Sequence, residues 1–186
     1  MLVTDKGLHF LETIKAVKGT NAKKEILKES IECGLISRIL RYTFDPYISF
    51  HVVKVPKTKE RKPIDSNNAW FEFFKTADAC AMRKVTGNSA IELMQETFSK
   101  CTSEQEKWMR KILKKNLAIG ISVKSINKVT PDFIPTFDVA LAQKFDMKRI
   151  KSSEVFIEPK LDGIRCLAIV ENREAKLYTR AGKLIT

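Results

Sequence analysis

The chain has 186 residues, enough for one domain with a full core or for one domain and part of another. Its apolar content, 44%, is ordinary for a globular protein, and 34 Lys and Arg against 22 Asp and Glu give a net charge of +12. No window is apolar and long enough to cross a membrane, Met1 to Gly7 lacks the basic-then-apolar order of a secretory leader, and Cys33, Cys80, Cys101 and Cys166 have no paired spacing and read as reduced intracellular thiols.

Along the chain, Leu8, Leu11, Ile14 and Val17 recur at helical spacing and predict a first helix with one buried face. Asn21 is expected to cap a second helix running through Lys28 and Ser30. Leu35, Ile36, Ile39 and Leu40 continue into a helix that should stop before Asp45-Pro46, since a residue preceding proline is pushed out of the helical region. Tyr42, Phe44, Tyr47, Phe50 and Val53 form an aromatic patch expected to pack between helices. His9 and His51 have no Cys or acid at metal-ligand spacing, so no structural metal site is expected.

Lys54 to Asn68 contains Pro56, Pro63 and a basic run, Lys57, Lys59, Arg61 and Lys62. It reads either as a solvated loop or as a flexible DNA-contacting arm. Trp70 to Lys84 predicts a helix with Trp70, Phe73, Phe74 and Ala77 inward. Thr86-Gly87-Asn88 is a break, and Asn88 or Ser89 is expected to cap the next helix, which carries Ala90, Ile91, Met94 and Phe98. Thr102 or Ser103 starts another, with Glu104 and Glu106 in its first turn and Arg110, Lys111, Lys114 and Lys115 towards its end, the order the helix dipole favours. Trp108, Ile112, Leu113 and Leu117 are its buried stripe, and Gly120 is its expected C-cap. Ser122 is expected to cap a short helix, Val123 to Val129.

Beyond Thr130-Pro131 and Ile134-Pro135 the pattern changes. Val155 to Ile157, Cys166 to Val170 and Lys176 to Tyr178 predict short strands, with Asn172 in a hairpin turn between the last two. The fold class expected is α+β: an all-α domain over residues 1–132, then a strand-rich region over residues 133–186. Charge follows the same division. Residues 1–130 hold 24 Lys and Arg against 14 Asp and Glu, a net +10; residues 131–186 hold 10 against 8, a net +2. A basic, intracellular, globular segment most often meets a polyanion, and nucleic acid is the commonest. A membrane surface fits less well, because the cations do not lie opposite an exposed aromatic stripe.

The densest chemistry is Glu158-Pro159-Lys160-Leu161-Asp162-Gly163-Ile164-Arg165. In an extended chain Glu158, Lys160 and Asp162 share one face, and Ile157, Pro159 and Leu161 the other. A lysine amine attacks phosphorus only when unprotonated and when the phosphate charge is neutralised. With a reference pKa of about 10.4, roughly a thousandth or less is neutral at pH 7, so burial and nearby cations must lower it. Glu158 and Asp162 act the other way and must be directed at a nucleotide or a metal. Arg165 and Arg180 offer forked donors to nucleotide oxygens, and Gly163 permits a tight turn beside a ligand. A bare Lys-x-Asp-Gly recurs by chance as a surface lysine at a strand end; Glu158, Arg165 and the later Thr179-Arg180-Ala181-Gly182 weigh against that reading.

This tail resembles the start of the nucleotidyltransferase domain of DNA ligases, whose first motif is Lys-x-Asp-Gly-x-Arg. The preceding part resembles the helical DNA-binding domain of ATP-dependent ligases of the tailed-phage type, on Met82 to Glu92, Leu117 to Val123 and Ile126 to Val129. Val139-Ala140-Leu141-Ala142 resembles the segment such ligases carry just before the nucleotidyltransferase core. The resemblance implies that Lys160 attacks the α-phosphate of ATP and holds AMP through a phosphorus–nitrogen bond. Glu158 would face the adenine amino group, and Arg165 and Arg180 would contact the nucleotide, alongside Asp162 and Gly163 of the same motif. Thr179 stands where the family usually has Ser. The implied partner is nicked double-stranded DNA, clasped mostly through its phosphates, with Mg2+ as the metal of the reaction.

RNA ligases, capping enzymes and NAD-dependent ligases share Lys-x-Asp-Gly but do not usually carry this helical domain before it; ATP over NAD rests on that domain. The family places further acids, lysines and an aromatic downstream to bind metal and triphosphate. This chain alone is therefore expected to be inactive: the N-terminal portion of an ATP-dependent DNA ligase, as a gene fragment or as one piece of a split enzyme completed by a separate chain, or else a stand-alone non-catalytic duplex-DNA-binding fragment. Its expected setting is the cytoplasm or nucleoid of a phage-infected cell.

Overall fold

The computed structural model describes the chain apart from residues 1, 2, 53, 57, 59, 138–143, 145, 152, 153, 160–162 and 186, and apart from the side chains of residues 3–6 and 149. The chain divides into two compact units, Met1–Pro135 and Thr136–Thr186. Among the described residues there are seven α-helices and one two-stranded antiparallel sheet, an α+β fold with all seven helices in the first unit.

The first unit comprises α1 (Val3–Ala16), α2 (Thr20–Ser30), α3 (Gly34–Phe44), α4 (Ser66–Ala81), α5 (Gly87–Ser99), α6 (Ser103–Leu113) and α7 (Val123–Val129). The helical spacing of apolar residues gives each a buried stripe. Leu11 and Ile14 of α1, Leu27 of α2, Ile39 and Leu40 of α3, Phe73 and Ala77 of α4, Met94 and Phe98 of α5 and Trp108 and Ile112 of α6 join one core. Each large apolar side chain so enclosed contributes about 1.5–3 kcal/mol. Within this core α4 packs on α5, α2 on α7, and α3 on α6.

The expected aromatic patch is partly a packing seam: Tyr42 meets Phe74 edge-on at 4.9 Å, and Phe50 is buried. Tyr47 instead lies exposed, and Val53 falls outside the described residues. Burial pushes the Cys101 thiol up to about 12, with Glu106 adding to the effect, so it is an inert core group.

Several helix ends differ from expectation. Asn21 does not cap α2; Gly19 does, at φ 94° and ψ 136°, a conformation glycine adopts at little cost, and no side chain bonds to the cap. α4 begins at Ser66, four residues before Trp70, because Asp65 accepts from the backbone N–H groups of Asn67 and Asn68. Neither Asn88 nor Ser89 caps α5, which starts at Gly87 with Thr86 in the cap position and no side-chain cap bond. Gly120 does not end α6. That helix stops at Leu113, and Lys115 takes the left-handed position at φ 56°, held there by its Nζ donating to the carbonyls of Tyr42 (2.9 Å) and Asp45 (2.6 Å) at the end of α3. A cation on those last carbonyls also suits the α3 dipole.

Thr102 does start α6, in a reciprocal capping box with Gln105. Thr102→Ala should cost about 1 kcal/mol and lower the melting temperature by roughly 3–4 °C in a thermal scan. Ser122 caps α7 by accepting from the Ser125 N–H. Gly120 has another use: a Cβ there would sit 2.7 Å from Lys23 Nζ, which donates to the Ile119 carbonyl.

The second unit holds a 3-10 turn, Met147–Arg149, and strands β1 (Cys166–Glu171) and β2 (Glu174–Thr179). Asn172 and Arg173 form the two-residue turn between them, at φ 50° and 68°. Two consecutive positive φ values match the right-handed twist of the hairpin, and asparagine is among the residues that tolerate the first of them. Val155 to Ile157 is not a strand. It lies irregular and exposed, Phe156 being 99% and Ile157 93% accessible, because β propensity needs a neighbouring strand to bond to and the sheet is β1 and β2 alone among the described residues.

Candidate nucleotide site and nucleic-acid interface

Cys166 pairs with Thr179 and Glu171 with Glu174, so the open end of the hairpin brings together Arg165, just before β1, and Arg180, just after β2. Two guanidinium-bearing residues with fourteen residues between them thus lie at the same end of one hairpin. Arg180 is exposed in a tight turn over Thr179 to Gly182. The Thr179 N–H donates to the Lys183 carbonyl (2.8 Å), the Gly182 N–H to the Thr179 carbonyl (2.9 Å), and the Lys183 N–H to the Thr179 hydroxyl (3.1 Å). Gly182, at φ 75°, supplies the left-handed residue this reversal needs. The chain then runs back beside β2, with Tyr178 bridged to Leu184 and the Ile185 N–H donating to Leu177. The Thr-Arg-x-Gly segment is therefore a turn with its hydroxyl used as an acceptor, a role Ser fills equally well.

Gly163 lies exposed two residues before Arg165, in the segment leading into β1. Glu158 is exposed in the irregular stretch ahead of it. Lys160 and Asp162 lie outside the described residues, as does Val139 to Ala142. The hairpin carries its apolar side chains largely in the open, including Val170 and Leu177.

In the first unit, many cations have structural work. Glu106, only 5% accessible at its side chain, pairs with both Arg61 and Arg110. Burial on its own raises the Glu106 pKa, but hydrogen bonds from Arg110 and Arg61 outweigh it and hold the carboxyl below its ordinary range. Arg110 also donates to the carbonyls of Val55 and Pro56, and Arg61 to that of Cys101. The Lys62 N–H reaches Ser99 (2.7 Å) and the Ile64 N–H reaches Lys100 (3.0 Å). Val55, Pro56, Arg61, Lys62 and Ile64 of the stretch after Lys54 are therefore tied to α6 and to the α5–α6 turn, more than a purely solvated loop or a flexible arm would be, while its Lys57 and Lys59 lie outside the described residues. Nothing in the one-dimensional pattern singles out Glu106, because an acid in a first helical turn is ordinary.

A second cluster joins α1 to α6. Glu12 accepts from Lys107 (2.8 Å) and from the Trp108 indole N–H (3.1 Å), and the Lys107 bond holds its carboxyl low. Lys111 lies 4.1 Å over the Trp108 ring and donates to the Leu117 carbonyl. Burial, with Lys15 and Lys107 nearby, lowers the Lys111 pKa. Lys18, Lys28, Lys62, Lys114, Lys124 and Lys128 are exposed. Among the described residues no helix is long and apolar enough to cross a membrane, and no three His, Cys, Asp or Glu side chains are grouped as metal ligands.

No family model matches the chain. The DNA ligases of Enterobacteria phages T4 and T6 are each 29% identical to it over 184 residues, covering 94% of this chain. The chain spans 37% of the length of these curated relatives. Among solved structures, the chain named Pmar-Lig_PreS3 superposes with a TM-score of 0.78 at 28% identity, over 96% of this chain and 43% of that one. The chain named Pmar-Lig_Pre gives 0.76 at 28% identity, over 96% and 42%. Over nearly its whole length, therefore, this chain is similar to phage DNA ligases, as the resemblance in its motifs implied, and corresponds to part of their length.

Proposed function

We propose that this chain is the N-terminal portion of an ATP-dependent DNA ligase. The observation that carries the reading is one order of parts: a basic helical unit, then Lys160 in its motif, then a hairpin whose register brings Arg165 and Arg180 to one end. Residues 1–132 would be the DNA-binding domain and residues 133–186 the beginning of the adenylation domain.

In this reading the Lys160 amine, having lost its proton, attacks the α-phosphorus of ATP; a phosphorus–nitrogen bond forms and pyrophosphate leaves. Glu158 orients the adenine, and Arg165 and Arg180 hold nucleotide oxygens with Asp162 and Gly163 beside them. AMP then passes to the 5′-phosphate at a nick, and the adjacent 3′-hydroxyl displaces it. Mg2+ would neutralise phosphate charge, but the described residues offer no grouped ligands for it, so none of them is given that role. The exposed hairpin does not by itself enclose a nucleotide, so sealing is expected only with the remainder of a ligase present. Mixing the chain with the complementary part of a phage ligase and scoring closure of a labelled nick tests this; no closure by the mixture would reject it.

The helical unit is proposed to hold duplex through phosphates, as sequence-independent sealing requires. The exposed Lys18, Lys28, Lys62, Lys114, Lys124 and Lys128 of this unit support this, since ammonium groups open to solvent can reach phosphate oxygens. Affinity for a nicked duplex, followed by fluorescence anisotropy, should fall by about 10^3-fold between 50 and 200 mM salt if some six phosphates are neutralised. A salt-insensitive affinity would count against this assignment. The setting we infer is the interior of a phage-infected cell.

A further inference from the structure

We propose that the outer face of α4 is a docking groove for an acidic amphipathic segment of another protein. Phe71 and Met82 are 61% and 67% accessible, although α4 buries Trp70, Phe73 and Phe74 in the core. Both line a groove of about 430 Å3, with Lys75 between them along the chain and Lys84 beyond.

The groove has definite chemistry. Phe71, Lys75, Asp78 and Met82 recur every three or four residues and so share one helical face. The one carboxylate there, Asp78, is already engaged: it accepts from Arg38 at 3.0 Å and from the Tyr42 hydroxyl. Arg38 in turn covers the Phe74 ring at 4.3 Å. That pair cancels, and the charge offered outward is that of Lys75 and Lys84, both exposed. Phe71 and Met82 are eleven residues apart, about 16 Å at the helical rise. A complementary partner carries two apolar anchors at that separation with carboxylates between and beside them. Three turns of an acidic amphipathic helix meet this description, and methionine suits such a surface because its side chain adapts to the shape it meets.

Nucleic acid fits less well. Phosphates gain nothing from Phe71 or Met82, and a single-strand platform needs successive aromatic rings, whereas the groove presents one.

The test uses the full chain and a fluorescein-labelled helical peptide with leucines at i, i+4, i+7 and i+11 and Asp and Glu on the flanking positions. A second peptide has Lys in place of every acid. The acidic peptide should bind saturably and the basic one should not. Phe71→Ala and Lys75→Glu should each weaken binding about tenfold or more. Both side chains are exposed, so the variants should melt with the parent. Amide NMR shifts on adding the acidic peptide should map to α4 and Arg38. Equal binding of both peptides, no binding, an affinity indifferent to Phe71→Ala, or displacement of the peptide by nicked duplex or by the remainder of a ligase would each overturn the proposal.

Discussion

Replacing Lys160 with alanine or arginine is expected to abolish covalent labelling of the chain by ATP labelled at its α-phosphate, measured with the remainder of a ligase supplied. The expected loss is on the order of 10^4-fold or more, the scale on which removal of an enzyme nucleophile acts. The two variants separate two roles. Alanine removes both the amine and its charge. Arginine keeps the charge but has no amine to deprotonate, since its pKa exceeds 12. If Lys160 served only to attract phosphate, arginine would retain much of the labelling; if it forms the phosphorus–nitrogen bond, both variants lose all of it. Duplex affinity should be unchanged in either variant, because Lys160 belongs to the second unit and the cations proposed to hold DNA belong to the first. Persistent labelling of Lys160→Ala at another residue would remove the basis of the proposed reaction.

The largest stability effect is expected at Glu106. Glu106→Ala leaves Arg61 and Arg110 without the carboxylate between them and should cost about 2–3 kcal/mol, less than for a fully enclosed pair because both arginines are partly hydrated. That corresponds to a fall of roughly 6–10 °C in a thermal scan. Glu106→Gln keeps the shape and lacks the charge, so it isolates the ionic part. The folded pKa is depressed from its ordinary value of 4.5, so the charge contributes stability above that value and loses it as pH falls through the folded value. The gap between parent and Glu106→Gln should therefore be full near neutrality and close in acid. A gap independent of pH would show that the carboxylate charge is not what ties the loop down. Hydrogen exchange at the Lys62 and Ile64 amides should rise in both variants, since their acceptors lie in the turn that the network holds.

What was legible in the sequence, and what was not, divides along the range of the forces involved. Apolar spacing located the helices because a buried stripe is written every three or four residues. Thr102 and Ser122 were legible as caps because their bonds reach only three residues ahead. Asn172 was legible as a hairpin turn for the same local reason. The roles proposed for Lys160, Arg165 and Arg180 rest on the resemblance of their motifs. Local rules failed where a distant group competed. Lys115, not Gly120, ends α6, because carbonyls at the end of α3 hold it in a conformation lysine otherwise avoids. Val155 to Ile157 has the composition of a strand, but no strand lies beside it among the described residues.

By itself, then, the sequence determined the helical character of the first unit, the strand-bearing second one and the excess of positive charge. Only the tertiary structure decided which cations are spent on internal contacts, as Arg61, Arg110 and Lys107 are, and that Arg165 and Arg180 flank the same end of a hairpin. The physical reason is that charge and local propensity are properties of residues and near neighbours, whereas ion pairing and strand register join residues tens of positions apart and exist only once the chain has folded.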